Sequence, residues 1–353
     1  MLHLCGGYWA WRDQIATRIM APILEGPSSL QLYLVNIFNF GPFGVSLFFL
    51  ISGFVIPFSL QKMSPGRFLI ARAFRIYPTY LACLSCAIGA RWLSAHYWHH
   101  PFFIDRSQMM WNALLVQNLA VVPSFDLVNW TLAIELKFYI VMAALALVAF
   151  HRRAFAFIGV SLLITAAVLM IPFSQSVEII SYAPVPGETN VGLLILRDLA
   201  FVPYMLVGTI LSLHMQKAIS TQNALVSIAT LSALFGLIVF VYAFHKVPLP
   251  VPLDIYMPNI AVFSLAYVTR EHFKPNKLFD FFASISYPLY AVHTIVGYAS
   301  LRMLMSAGAA PLVALPITVT IVTALAYIVH QLVEVPTTRL GRGFGWTLPA
   351  RAA

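Results

Sequence analysis

The chain has 353 residues, 60% of them apolar and only 9% charged, where a soluble domain carries about 25% charged residues. So few charges cannot coat a globule of this size, and the apolar runs, each long enough to cross a hydrocarbon core of roughly 30 Å, recur from end to end. The net charge of +9 reflects cytoplasmic loops rather than a nucleic-acid surface, and the composition excludes disorder, a disulfide scaffold and a β-barrel of alternating segments of about ten residues.

In chain order, the first forty residues carry His3 in an apolar start, Met1-Leu2-His3-Leu4-Cys5-Gly6-Gly7, with neither the basic nor the long apolar region of a signal peptide. Hydropathy then predicts spans at 41–60, 76–94, 131–150, 154–172, 192–214, 222–243, 252–269, 279–306 and 311–335. The expected fold class is therefore all-α, a polytopic transmembrane helix bundle of about nine full spans plus a truncated first span.

Lys62, Arg67, Arg72 and Arg75, then Arg152 and Arg153, Lys217, Arg270, Lys274 and Lys277, and finally Arg339, Arg342 and Arg351 mark one set of connections. The alternate set, 95–130, 173–191 and 244–251, holds only Arg106 and Lys246. The positive-inside rule puts the first set and the C-terminus in the cytoplasm. Span 41–60 must then enter from outside, which leads us to expect a late start and one more span upstream. Residues 1–342 read as one membrane domain and 343–353 as a short cytoplasmic tail, with no linker or repeat.

Polar groups inside spans carry the chemistry, because each is costly unless it lines a cavity or meets a partner. Arg72 and Arg75 stand at i, i+3 on one helical face at the cytoplasmic end of a span, with Arg67 a little earlier. Two guanidiniums so placed make a bidentate phosphate site, the alternative being a solvated basic collar. Glu135 lies about one turn inside the next outer boundary, with Thr131 and Tyr139 at i−4 and i+4 on its face. Such a carboxylate acts as a general base, or orients one, or pairs structurally with Arg197.

Further on, Ser286, Tyr290 and His293 share a face by helical spacing, and Pro288 loosens the backbone between them. A lone His on an apolar face is more often a core residue than a proton carrier, and Glu334-Val335-Pro336, followed by Arg339, reads most simply as a helix end. His96, His99 and His100 lie among Tyr97 and Trp98 without a carboxylate or thiol to complete a metal site, so they read as an interfacial belt, and no metal is expected. Cys83 and Cys86 stand one turn apart in an apolar run, an unsuitable setting for a redox dithiol. There is no Walker loop, dinucleotide-binding turn, H-E-x-x-H or G-x-S-x-G.

Five blocks, in order, carry a resemblance: Gly44-Val-Ser-Leu-Phe-Phe-Leu-Ile-Ser-Gly53-Phe-Val-Ile56, the Arg67 to Pro78 segment, Trp130-Thr-Leu-Ala-Ile-Glu135-Leu-Lys-Phe-Tyr139, Ile285-Ser-Tyr-Pro-Leu-Tyr290-Ala-Val-His293, and Glu334-Val-Pro336. From about residue 41 to 342 the chain resembles the acyltransferase-3 family of bacterial integral-membrane O-acyltransferases. The resemblance implies an inner-membrane enzyme, typically of ten spans, that moves an acyl group, most often acetyl from acetyl-CoA, onto a hydroxyl of an envelope or exported glycan. No permanently bound cofactor is implied; acyl-CoA is the donor substrate, and a glycan or lipid-linked sugar is the acceptor.

By the same resemblance Arg72 and Arg75 match the family's donor-binding R-x-x-R pair, and His3 matches its essential His, base or transient acyl carrier. The Arg that precedes that His by about ten residues in relatives has no counterpart here, and Ser46 stands where many relatives have Asp. Glu135 and Tyr290 are the candidates for orienting the imidazole or steadying the oxyanion, and His293 is a further catalytic candidate. The competing class is a secondary transporter or a membrane sensor without chemistry, since intramembrane carboxylates and Pro-broken helices mark those too.

Overall fold

The computed structural model describes residues 12–23, 40–120, 122–126, 128–148, 154–170, 191–244 and 251–343. His3 and the tail beyond residue 343 lie outside them. Among the described residues every regular element is helical. In chain order these are α1 (Arg12–Ile19), α2 (Phe40–Lys62), α3 (Pro65–Tyr97), α4 (Arg106–Ala113) and α5 (Asn129–Val148). There follow α6 (Ala154–Leu169), α7 (Val191–Leu199), α8 (Val202–Met215), α9 (Thr221–Phe244) and α10 (Leu253–Val268). The last, after a 3-10 turn at Arg270–His272, are α11 (Lys277–Ser284), α12 (Ser286–Val292), α13 (Ile295–Ser306), α14 (Pro311–Val329) and α15 (Val335–Gly343), with a π-helical turn, His330–Glu334, joining the final two.

Among the described residues, five stretches are long and apolar enough to cross a membrane: Gly41–Lys62, Asn129–Ala146, Val191–Met215, Thr221–Phe244 and Pro311–Gly343. These coincide with five of the nine expected spans. Two more, 154–172 and 252–269, appear as helices of 16 residues. The expected 76–94 is the later part of the 33-residue α3, whose first turns carry Arg67, Arg72 and Arg75. The expected single span 279–306 is instead three helices, α11, α12 and α13. Breaks fall at Ile285 and at His293-Thr294; at the first, Pro288, lacking a backbone N–H and crowding the preceding turn, keeps one continuous ladder from forming.

The helices fall into two compact units, one of Asn39–Pro65 and Asp105–Lys274, the other of Met1–Phe38, Gly66–Ile104 and Pro275–Ala353. The first, the Glu135 unit, is organised around α8, whose residues from Val202 to Leu213 are all buried. A helix apolar on every side belongs in the interior of a bundle. It crosses α2 backbone to backbone: a Cβ on Gly53 would overlap the Met205 carbonyl, and one on Gly208 the Leu50 carbonyl. Apolar driving force is weak between helices in lipid, so close approach through glycine is what lets them adhere. Thr209 Oγ donates to the Gly53 carbonyl at 3.0 Å across the same crossing.

In the second, the Arg72 unit, Cys83 of α3 packs with Ile285, Ala291, Val292, Val296, Val322, Ala326 and Val329 into one apolar core. Tyr287 donates its hydroxyl to the Ile76 carbonyl at 2.9 Å, tying α12 to α3 just beyond the arginine pair. Gly341 of α15 lies on the Phe74 side chain, which brings the end of the last helix against the same turn of α3.

Candidate active site

Helical spacing dictates the first grouping. Arg72 and Arg75 share a face of α3, whereas Arg67, five residues before Arg72, points about 140° away round the helix. Arg72 is 9% exposed, with its guanidinium 5.3 Å from the Phe68 ring centroid one turn earlier. Arg75 is more open, its side chain 43% exposed, and its Nε lies 3.9 Å from Oε1 of Glu334, which is 8% exposed. His330 donates from Nδ1 to the other oxygen, Oε2, at 2.7 Å.

The π-helical turn produces this arrangement. An i→i+5 turn inserts an extra residue into the helix, and such turns are frequent at functional sites. Here its two ends, His330 and Glu334, are hydrogen-bonded to each other and present one carboxylate to Arg75. Glu334, expected to be a simple helix end, is therefore a buried anion held beside the basic pair. Two guanidiniums from one face of α3, one of them with a carboxylate beside it, leave a positive surface suited to phosphate oxygens.

Deeper in the same unit, His293 follows the last residue of α12 and is 8% exposed. Its Nδ1 lies 2.7 Å from the Tyr290 carbonyl. A carbonyl only accepts, so Nδ1 carries a proton and donates it to this contact. The Tyr290 ring is 5.8 Å from the imidazole. Ser286, expected on the same face, turns away: it is exposed and donates to the Ala283 carbonyl at 2.8 Å.

Glu135 belongs to the other unit. Its Oε1 accepts from Ser52 Oγ at 2.7 Å and from Tyr139 OH at 2.6 Å. Two short O–H donors on one oxygen are the environment of an ionised carboxylate. Thr131, expected in the same stripe, donates to the Val128 carbonyl at 2.9 Å. The ion pair on this helix is made by Lys137, whose Nζ lies 2.8 Å from Asp198 Oδ2 with both side chains largely buried. The alternative pairing of Glu135 with Arg197 is thus replaced by hydroxyl partners for Glu135 and a Lys137–Asp198 pair beside it.

Of the residues singled out in the sequence, Arg67, Arg72, Arg75, Tyr290 and His293 lie in one unit and Glu135 in the other. Ser52, Lys137, Asp198 and His330 join the sites without having been singled out. Asp198 carried a signal: an acid in an apolar span needs a cation. His330 carried one too, as an ionisable residue in an apolar span four residues before Glu334, whereas Ser52 carried none, since a serine in a span is commonplace.

Comparison with known proteins gives one match. A family model described as an acyltransferase domain, acyltransferase-3, covers residues 15–331. No curated protein and no solved structure matches the chain.

Proposed function

The chain belongs to the acyltransferase-3 family, and from that premise we propose that this multi-pass membrane acyltransferase takes acetyl from cytoplasmic acetyl-CoA and transfers it to a hydroxyl of an envelope or exported glycan. In this reading the protein sits in a bacterial inner membrane with its C-terminus and the arginine pair on the cytoplasmic side. The observation that carries it is Arg75 beside the Glu334–His330 pair of the π-helical turn, with Arg72 one turn earlier on the same face of α3.

The donor's phosphates bind Arg72 and Arg75, whose planar forks match phosphate oxygens, and Arg67 at the start of α3 adds charge at the entrance. Glu334 lies 3.9 Å from Arg75 Nε and acts on the donor through that charge. The thioester then extends into the bundle. A hydroxyl is a poor nucleophile until a base takes its proton in the transition state. As the acceptor oxygen bonds to the acyl carbon, an imidazole removes the hydroxyl proton; the carbon–sulfur bond breaks and the leaving thiolate recovers that proton. The family resemblance assigns the imidazole to His3, while His293, its Nδ1 held at the Tyr290 carbonyl, is a second candidate for it. Tyr290, whose ring is 5.8 Å from the His293 imidazole, takes the role of donor to the developing oxyanion in this reading. Glu135, anchored by Ser52 and Tyr139, acts as a fixed anion that orients its unit's polar groups.

The test is transfer from radiolabelled acetyl-CoA to glycans extracted from the host envelope by protein reconstituted in lipid vesicles. Label in the glycan fraction, lost on alanine substitution of Arg72 or Arg75, is the expected result. Retention of full transfer by both variants contradicts the donor assignment.

A further inference from the structure

α3 carries a second polar group at the end opposite the arginine pair. Ser94 lies 22 residues beyond Arg72 in sequence, about 33 Å along the helix axis, which is close to the hydrocarbon thickness of roughly 30 Å. There the chain turns sharply. His99 takes φ +54°, His100 N–H bonds back to the Ala95 carbonyl at 2.9 Å, and His99 N–H to the His96 carbonyl at 3.2 Å. This closing turn fixes Trp98 just past the helix, one turn above Ser94.

α13 brings Arg302 to the same place. Its guanidinium carbon lies 4.5 Å from the Trp98 ring centroid, and its Nε donates to the Pro22 carbonyl at 3.2 Å. One turn further, Ser306 Oγ and Tyr97 OH meet at 2.7 Å, locking the two helix ends together. Arg302 is 8% exposed, and among the described residues no carboxylate pairs with it. Ser94 Oγ and Trp98 Nε1 are buried there without a hydrogen-bond partner among the described residues. Burying a cation without a counter-charge is strongly unfavourable, and orphaned buried donors add to that cost. An oxyanion answers all three: the guanidinium edge supplies charge and paired donors, the hydroxyl and indole N–H supply two more, and the Trp98 ring offers a face for a sugar.

We propose that Ser94, Trp98 and Arg302 form an oxyanion-binding subsite for the acceptor, which is therefore an acidic glycan or a phosphate-linked sugar rather than a neutral one. This rests on the acyl-transfer reading, which needs an acceptor site on the membrane face opposite the donor's. Arg302 is a specificity residue here; it grips the acceptor's acid group and does not touch the transferred acyl.

The experiment is a ligand-observed NMR titration of the full chain in phosphatidylcholine nanodiscs, with glucuronate as carboxylate probe, glucose 1-phosphate as phosphate probe and glucose as neutral control. Acetyl-CoA is titrated in parallel. The subsite predicts that at least one acidic probe binds about tenfold or more tightly than glucose, from the strength of a charge-assisted contact. Which acid wins distinguishes a sugar carboxylate from a linking phosphate. R302Q erases the preference, and W98F and S94A, which keep the packing, reduce it; those two carry the test if R302Q does not fold. Equal affinity for all three sugars, or an unchanged preference in R302Q, W98F and S94A, overturns the proposal. So does loss of acid binding when phosphatidylglycerol is added to the disc, which assigns Arg302 to a lipid headgroup. Failure of acetyl-CoA to bind counts against the acyl-transfer reading alone.

Discussion

Lys137 and Asp198 show most clearly what a single residue does in this molecule. Their side chains are 15% and 7% exposed at a 2.8 Å separation, and Asn118 Nδ2 also donates to the same carboxylate at 3.3 Å. A buried pair adds little net stability, but removing one partner strands a charge. Lys137→Met is therefore expected to destabilise the fold by about 3–5 kcal/mol, while the double variant with Asp198→Asn recovers much of that loss. Thermal unfolding in nanodiscs of the two singles and the double checks this; additive losses would mean that the pair does not act as a unit. Ser52 works on a smaller scale. Its bond to Glu135 is charge-assisted, so Ser52→Ala is expected to cost about 1–2 kcal/mol, above the average of about 0.6 for side-chain hydrogen bonds within membranes. A midpoint unchanged from wild type would remove Glu135 from the list of anchored anions.

At the scale of elements, the π-helical turn His330–Glu334 decides where the last helix points its carboxylate. Deleting the exposed Gln331 removes the extra residue and rotates everything after it by about 100° relative to α14. Acetyl-CoA affinity is expected to fall toward that of an Arg75→Ala variant, with helix content by circular dichroism unchanged. Unaltered affinity with an intact helix would show that the turn has no part in the donor site. How legible the elements were follows from the range of the forces that set them. The long apolar helices announce themselves because burial in lipid is a property of each segment, and Tyr139 could be paired with Glu135 because i+4 neighbours meet on any helix. Ser52 and Glu135 are 83 residues apart, and they meet only because α2 packs directly against α5, a tertiary contact that no local spacing encodes. The segment 279–306 read as one apolar span because hydropathy averages over the breaks at Ile285 and His293-Thr294. Thr131 and Ser286 both donate to carbonyls three residues earlier, because a short hydroxyl side chain in a helix readily reaches its own preceding carbonyls.

For the whole molecule, the account requires that the two ends of α3 face opposite compartments. Ser107 and Lys277 are both exposed and belong to connections assigned to opposite sides. In a chain with its native cysteines replaced, a cysteine at Ser107 is expected to react with a membrane-impermeant thiol reagent in intact cells, and one at Lys277 only after the cells are opened. The reverse pattern would invert the orientation and move the arginine pair away from the cytoplasmic donor.

The central claim is that the paired arginines of α3 hold an acyl-CoA, and equilibrium titration of acetyl-CoA into the purified protein in nanodiscs addresses it most directly. Each guanidinium–phosphate contact is expected to contribute about 1.5–3 kcal/mol, so Arg72→Ala and Arg75→Ala should each weaken binding by about tenfold or more, and lysine at either position should restore only part of it. Adding Glu334→Gln to Arg75→Ala should cost little further affinity, because Glu334 acts through Arg75. Saturable binding by the wild type that is lost in the double Arg72→Ala, Arg75→Ala variant is the result this account predicts. Binding of equal strength in that double variant, with the fold intact, would contradict it.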